Sequence, residues 1–181
     1  MGLDCGRLSA SLRRLRLGVV AMAVVDPVIF FPSDRPASDL AQWWELAAGF
    51  ESALKDVAYF FSEKLGGPTI TCSPVRGFNS QRTAQEFHDS LWTYATAEAT
   101  RLGLPAKQSG HGLLITVYGA KEAGPGFWNA TAPDGESGIT VMDGEFLDGA
   151  MADKADYIGR LRYNLACGSL AHELQHLGMA W

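Results

Sequence analysis

His172, Glu173 and His176 stand in the order H-E-x-x-H near the carboxyl end of a 181-residue chain. Four residues make about one helical turn, so on a helix both imidazoles leave from the same face and can close on one ion. Neutral imidazole is a good ligand for Zn²⁺, and zinc that keeps an open coordination position brings the pKa of a bound water down to about 7. Glu173 adjoins a ligand without being one, which suits it to take a proton from water and pass it to a leaving group. Leu170, Leu174 and Leu177 fall on the other side of the same helix and can anchor it to a core. The expectation is a metal centre with His172 and His176 as ligands, Glu173 as catalytic base and Zn²⁺ as cofactor.

Such a helix needs a scaffold, and the chain patterns as a mixed α/β (α+β) fold. Val24-Val25 followed by Val28 to Phe31 reads as an opening strand. After a turn-rich connector, Ser38 or Asp39 is placed to cap a long amphipathic helix, with apolar residues from Leu40 to Leu65 at three- and four-residue steps. Gly66-Gly67-Pro68 ends it. Thr69 to Val75 predicts a short strand whose Pro74 suits an edge or an end. A second long helix is expected from about Ser80 to Leu102, with Thr83 and Glu86 as a capping box that could move its start to Thr83. Leu113 to Tyr118 is the clearest strand, a run consistent with burial on both faces. Residues 119–138 are rich in glycine and proline and read as a long surface loop, and Ile139 to Met142 as a brief strand whose shortness suggests a sheet edge. His88, beside the second helix's apolar stripe, and His111, between Gly110 and Gly112, read as packed or solvated histidines, with His111 the only upstream residue to test as a further ligand.

Composition bounds the partners. With 47% hydrophobic and 19% charged residues the chain falls among ordinary globular proteins, long enough to bury a core without help from a metal. Fifteen basic against twenty acidic residues leave a net charge of -5, and no basic block follows the first sixteen positions, so nucleic acid is not expected as a partner. Residues 1–23 read either as an N-terminal tail or as a signal segment. Arginines precede the apolar run 17–25, and Ala21-Met22-Ala23 has a small-x-small form, so both a secreted and a cytoplasmic location stay open. That run is far short of the roughly 20 residues a membrane-spanning helix needs, so no transmembrane anchor is expected. Asn129-Ala130-Thr131 matches a glycosylation acceptor, relevant only in a eukaryotic secretory pathway. Cys5, Cys72 and Cys167 form no C-x-x-C pair; a Cys72–Cys167 bridge is possible but nothing in the spacing requires it.

From about Val24 onward the chain resembles the zincin metallopeptidases, most closely little-characterised bacterial zinc-dependent peptidases of metzincin-like type. Ala171-His172-Glu173-Leu174-Gln175-His176 carries the resemblance specifically; Phe31 to Pro36, Lys64 to Pro68, the central strand and the glycine-rich loop support it. The resemblance implies a twisted mixed sheet packed on two long helices plus an active-site helix at the C-terminus, a domain over 24–181, and a peptide or protein as substrate. It also implies that an edge strand holds extended peptide above the metal, which makes Gly138, Ile139, Thr140, Val141 and Met142 the candidate substrate-binding residues. The metzincin pattern places a third histidine ten residues after the first. Counted from His172 this falls one residue past Trp181, and Gly178 sits one place early. The expected function is a zinc-dependent endopeptidase, read as a C-terminally incomplete fragment lacking the third ligand. A non-catalytic relic or peptide-binding module on the same fold is the alternative.

Overall fold

A computed structural model describes residues 22–104, 111–121, 130–131 and 138–177. Most of the tail or signal segment, with Cys5, Asn129, and the chain from Gly178 to Trp181 lie outside these residues, as does the side chain of His176. The sheet comprises β1 (Met22–Phe31), β2 (Thr69–Cys72), β3 (Arg76–Asn79), β4 (His111–Val117), β5 (Ala130–Thr131) and β6 (Ile139–Met142). The helices are α1 (Leu40–Tyr59), α2 (Ala84–Asp89), α3 (Leu91–Arg101), α4 (Glu145–Ala150) and α5 (Tyr157–His176). The strand order is β2-β1-β4-β6-β5, with β3 also on β1; all described pairings are parallel except β5 with β6. The fold is thus mixed α/β, as the patterning predicts.

β1 is the spine of the sheet, and Met22–Phe31 is a strand throughout, so Met22 and Ala23 of the small-x-small triplet already pair with Thr69 and Ile70. Its Pro27 has no N–H for a neighbour. The neighbouring edge accommodates this: β2 pairs up to Val25↔Cys72 and β3 resumes at Val28↔Arg76, so Ser73-Pro74-Val75 stand opposite only Asp26-Pro27. One extra residue against two is a bulge, placed where the ladder would fail anyway. The strand expected over Thr69–Val75 is therefore two short strands.

Alternation along the strands divides the core between two faces. Val25, Ile29, Phe31, Leu114 and Met142 pack with α1, α4 and α5. Val28, Phe30, Leu113, Ile115, Val117, Ile139 and Val141 pack with α2 and α3. β4 is buried from Gly112 to Val117, as its apolar run predicts. α1 begins where Asp39 accepts from the Ala41 N–H at 2.8 Å and closes through a π turn, Phe60–Lys64, before Gly66 at φ 64°.

Two further expectations need correction. The helix expected over Ser80–Leu102 breaks at Ser90, which is extended (φ -158°, ψ 94°), so it forms the pair α2 and α3 on the opposite side of the sheet from α1. Asp89-Ser90 is the cause: both side chains compete with helical backbone bonding and favour helix ends. The capping box at Thr83 and Glu86 is present, and moves the start to Ala84. Second, Ile139–Met142 is not the sheet edge. It pairs with β4 from Leu113↔Ile139 to Thr116↔Met142, and β5 covers Val141 and Met142 from the other side. All four residues are buried. The strand is short because Gly138 and Asp143 bound it, not because it is peripheral, and the edge is β5, inside the stretch read as loop.

Candidate functional site

α5 positions the H-E-x-x-H residues. It starts where Asp156 accepts the Gly159 N–H at 3.0 Å and runs without interruption to His176. A side chain could not replace Gly159: a Cβ there would lie 1.7 Å from the Asp153 carbonyl oxygen. Tyr163, Ala166, Leu170 and Leu174 face the sheet and α1, and Leu170 and Leu174 are fully buried. Leu177, just past the helix, packs against the backbone of Gly112 at the start of β4, where a Cβ would approach its Cδ1 to 2.7 Å. The expected leucine anchoring is therefore present, and it fixes the axial position of the motif.

Glu173 lies on the boundary between core and surface. It is 1% exposed, and its Oε2 accepts from Thr140 Oγ1 at 2.6 Å. Thr140 is itself fully buried in β6. The other carboxylate oxygen, Oε1, is 3.8 Å from His172 Nε2, and the His172 side chain is 66% exposed. The two neighbours thus differ sharply: the imidazole reaches solvent while the carboxylate is set into the wall beside it. His176 is helical in backbone and one turn beyond His172. α5 brings the three motif positions together, as the spacing predicts.

Of residues 138–142, Thr140 is the one shown touching the motif, through Glu173. Its role was not legible from the sequence, although one signal was available: a hydroxyl in the four-residue strand Ile-Thr-Val-Met, which is otherwise apolar. A buried threonine needs a partner.

The two remaining histidines are separated from the motif. His88 in α2 places Nδ1 2.6 Å from the Lys121 carbonyl oxygen. His111 pairs through Nε2 with Asp26 Oδ2 at 3.3 Å. In β4, His111 precedes Gly112, whose α5-facing side meets Leu177, so alternation turns the imidazole of His111 toward the opposite face. Among the described residues no group of three His, Cys, Asp or Glu side chains is arranged to hold a metal ion. Cys72 and Cys167 are free, both half-buried against the α5-side core, and burial pushes both thiols up from their ordinary pKa. No helix among the described residues is long and apolar enough to cross a membrane.

Comparison with protein-family models, with curated proteins and with solved structures finds no match.

Proposed function

We propose that this chain carries the zinc-binding helix of a zincin-type endopeptidase, with His172 and His176 as ligands and Glu173 as general base. The observation that supports it is the pairing of a solvent-facing His172 with a buried, hydrogen-bonded Glu173 carboxylate 3.8 Å away. A carboxylate is costly to bury without a purpose or a partner, and Thr140 supplies a partner at Oε2. The donor chemistry fits zinc: two imidazoles, one turn apart on a rigid helix backed by leucines. No third donor completes the set among the described residues.

Zinc bound there would polarise a peptide carbonyl and make water acidic enough to deprotonate near neutral pH. The chain's own residues do the rest. Glu173 receives the proton of the attacking water on its carboxylate and returns it to the leaving amine. Thr140 holds Oε2 and so limits rotation of the carboxylate about its terminal bond. Leu170 and Leu174 lock the helix so that His172 and Glu173 keep their relation. In this reading extended peptide lies along the outer side of β5, which takes the edge position first expected for residues 138–142.

The test is zinc titration by calorimetry on the 181-residue chain and its variants, with hydrolysis of a quenched-fluorescent peptide library as second readout. H172A and H176A are expected each to weaken zinc binding by at least about tenfold. E173Q is expected to keep zinc and abolish any hydrolysis. Zinc binding indifferent to both histidines refutes the metal site. Peptide binding unaffected by zinc and by E173Q would favour the non-catalytic peptide-binding module instead.

A further inference from the structure

We infer that the chain has a second site, unrelated to the H-E-x-x-H helix: a pocket for the phosphate group of a small metabolite at the carboxyl ends of β1 and β4. These adjacent parallel strands continue in opposite directions: β1 leads through α1 to β2 and β3 on one side, and β4 leads toward β5 and β6 on the other. Where connections diverge in this way the loops part and leave a crevice, the usual ligand position in open α/β sheets. Here the crevice is a cavity of about 340 Å³ lined by Asp34, Arg35, Gln85, His88, Gly119 and Lys121, together with two alanines. That is the lower end of the size range of small-molecule sites.

The lining is built rather than incidental. Arg35, just after β1, donates from Nη1 to the Gly119 carbonyl just after β4, tying the two loops together. Gly119 has φ 62°, and a Cβ there would stand 2.8 Å from Arg35 Nη1, so the guanidinium lies across a position that only glycine leaves open. A guanidinium has five N–H donors, and the bond to Gly119 takes one of them. Lys121 follows two residues later and is held by Glu145 of α4. His88 is fixed through Nδ1 on the Lys121 carbonyl, which leaves Nε2 as the imidazole's other polar edge, and Gln85 lies one turn before it. Asp34, the lining carboxylate, is engaged by the Ala84 N–H at 2.8 Å. Asp34 and Glu145 are thus already paired, as is nearby Asp89, which accepts from Gln85 Nε2 at 2.8 Å. Arg35 and Lys121 bring their N–H groups to the cavity, and His88, whose Nδ1 donates to the Lys121 carbonyl, adds a donor at Nε2 only in its protonated form. A planar guanidinium with an ammonium is the combination suited to a phosphate dianion.

The test is a ¹H–¹⁵N NMR titration of the protein with inorganic phosphate, glycerol phosphate and succinate in parallel. Saturable shifts centred on Arg35, Gln85, His88, Gly119 and Lys121 are expected for the two phosphates, weakening as sodium chloride is raised. R35A and K121Q are expected each to weaken phosphate binding by about tenfold at unchanged circular dichroism. K121Q keeps the test informative should R35A loosen the loop. Failure of phosphate to saturate, shifts centred elsewhere, or affinities unchanged in both variants would overturn the site. Preference for succinate over both phosphates would overturn the phosphate assignment. None of these readouts involves zinc or hydrolysis, so the outcome is independent of the metallopeptidase reading.

Discussion

Thr140→Val isolates the contact on which the Glu173 geometry depends. Valine nearly matches threonine in shape, so the substitution deletes the hydroxyl without opening a sizeable cavity, and β6 keeps its β-branched side chain. The lost bond is 2.6 Å long, between a fully buried donor and a carboxylate that is 1% exposed. Hydrogen bonds to charged groups contribute about 1.5–3 kcal/mol, and with both partners out of solvent water cannot substitute. The expected loss of stability is therefore about 1.5–3 kcal/mol, or about 3–12 °C in Tm for a domain of this size. Urea denaturation of wild type, T140V, E173Q and the double variant measures it. The amide introduced by E173Q would present a neutral acceptor to Thr140, so T140V is expected to cost only about 0.5–1.5 kcal/mol in that background. A cost below about 0.5 kcal/mol in wild type, or equal costs in both backgrounds, would refute the claim that Thr140 fixes a charged Glu173. In an active enzyme the same variant is expected to lower kcat while zinc affinity stays unchanged.

Glu98 is 2% exposed; burial pushes its pKa up, but hydrogen bonds from Arg101, the Gln81 N–H and Ser80 outweigh this and leave it below the ordinary carboxylate value. Its contribution is thus complete above its unfolded-state pKa and is lost as pH falls through the lowered folded value. E98Q is expected to cost about 1–3 kcal/mol at neutral pH, with the gap to wild type closing in acid, as urea melts across pH would show. Gly159→Ala sets a methyl 1.7 Å from the Asp153 carbonyl oxygen and is expected to destabilise by at least about 2 kcal/mol, read from thermal melts. H88Q and H111Q are expected to leave zinc affinity unchanged in calorimetry; a large loss with H111Q would contradict its assignment to the far face of the sheet.

Periodicity made the major elements legible. The stripe from Leu40 to Leu65 is α1 with its π turn, and the run Leu113–Tyr118 is the two-face-buried β4. Lateral order was not legible, because neighbouring strands are chosen by long-range pairing that leaves no local mark. Ile139–Met142 looks the same in sequence whether or not another strand returns to cover it, and the two-residue β5 that does so has no apolar pattern to read. The helix break at Ser90 did leave a mark, since Asp89-Ser90 is a pair of end-forming residues inside an otherwise continuous stripe. At the candidate site the spacing of His172, Glu173 and His176 was sufficient to predict a shared helix, but not that Glu173 would be buried or that Thr140 would hold it. Arg35 and Lys121 were invisible as a pair, being 86 positions apart and adjacent only because β1 and β4 are.

The sheet also separates the two proposed sites. Leu177 meets β4 at Gly112, near the start of the strand, whereas Arg35 meets the same chain at Gly119, just beyond its end. The five extended steps from Gly112 to Val117 alone span about 17 Å. Between them β4 is buried on both faces, and its polar Thr116 is satisfied by the Asp143 carbonyl at 3.0 Å. A phosphate at Arg35 therefore connects to His172 only through packed elements, either β4 or the Lys121–Glu145 pair and α4, which packs on α5, and such elements transmit little without a second state to adopt. Zinc affinity measured with and without saturating phosphate is accordingly expected to agree within a factor of about two, below the roughly 5-fold lower end of typical allosteric coupling. A larger coupling would mean that β4, its flanking loops or α4 has a second arrangement that each ligand selects.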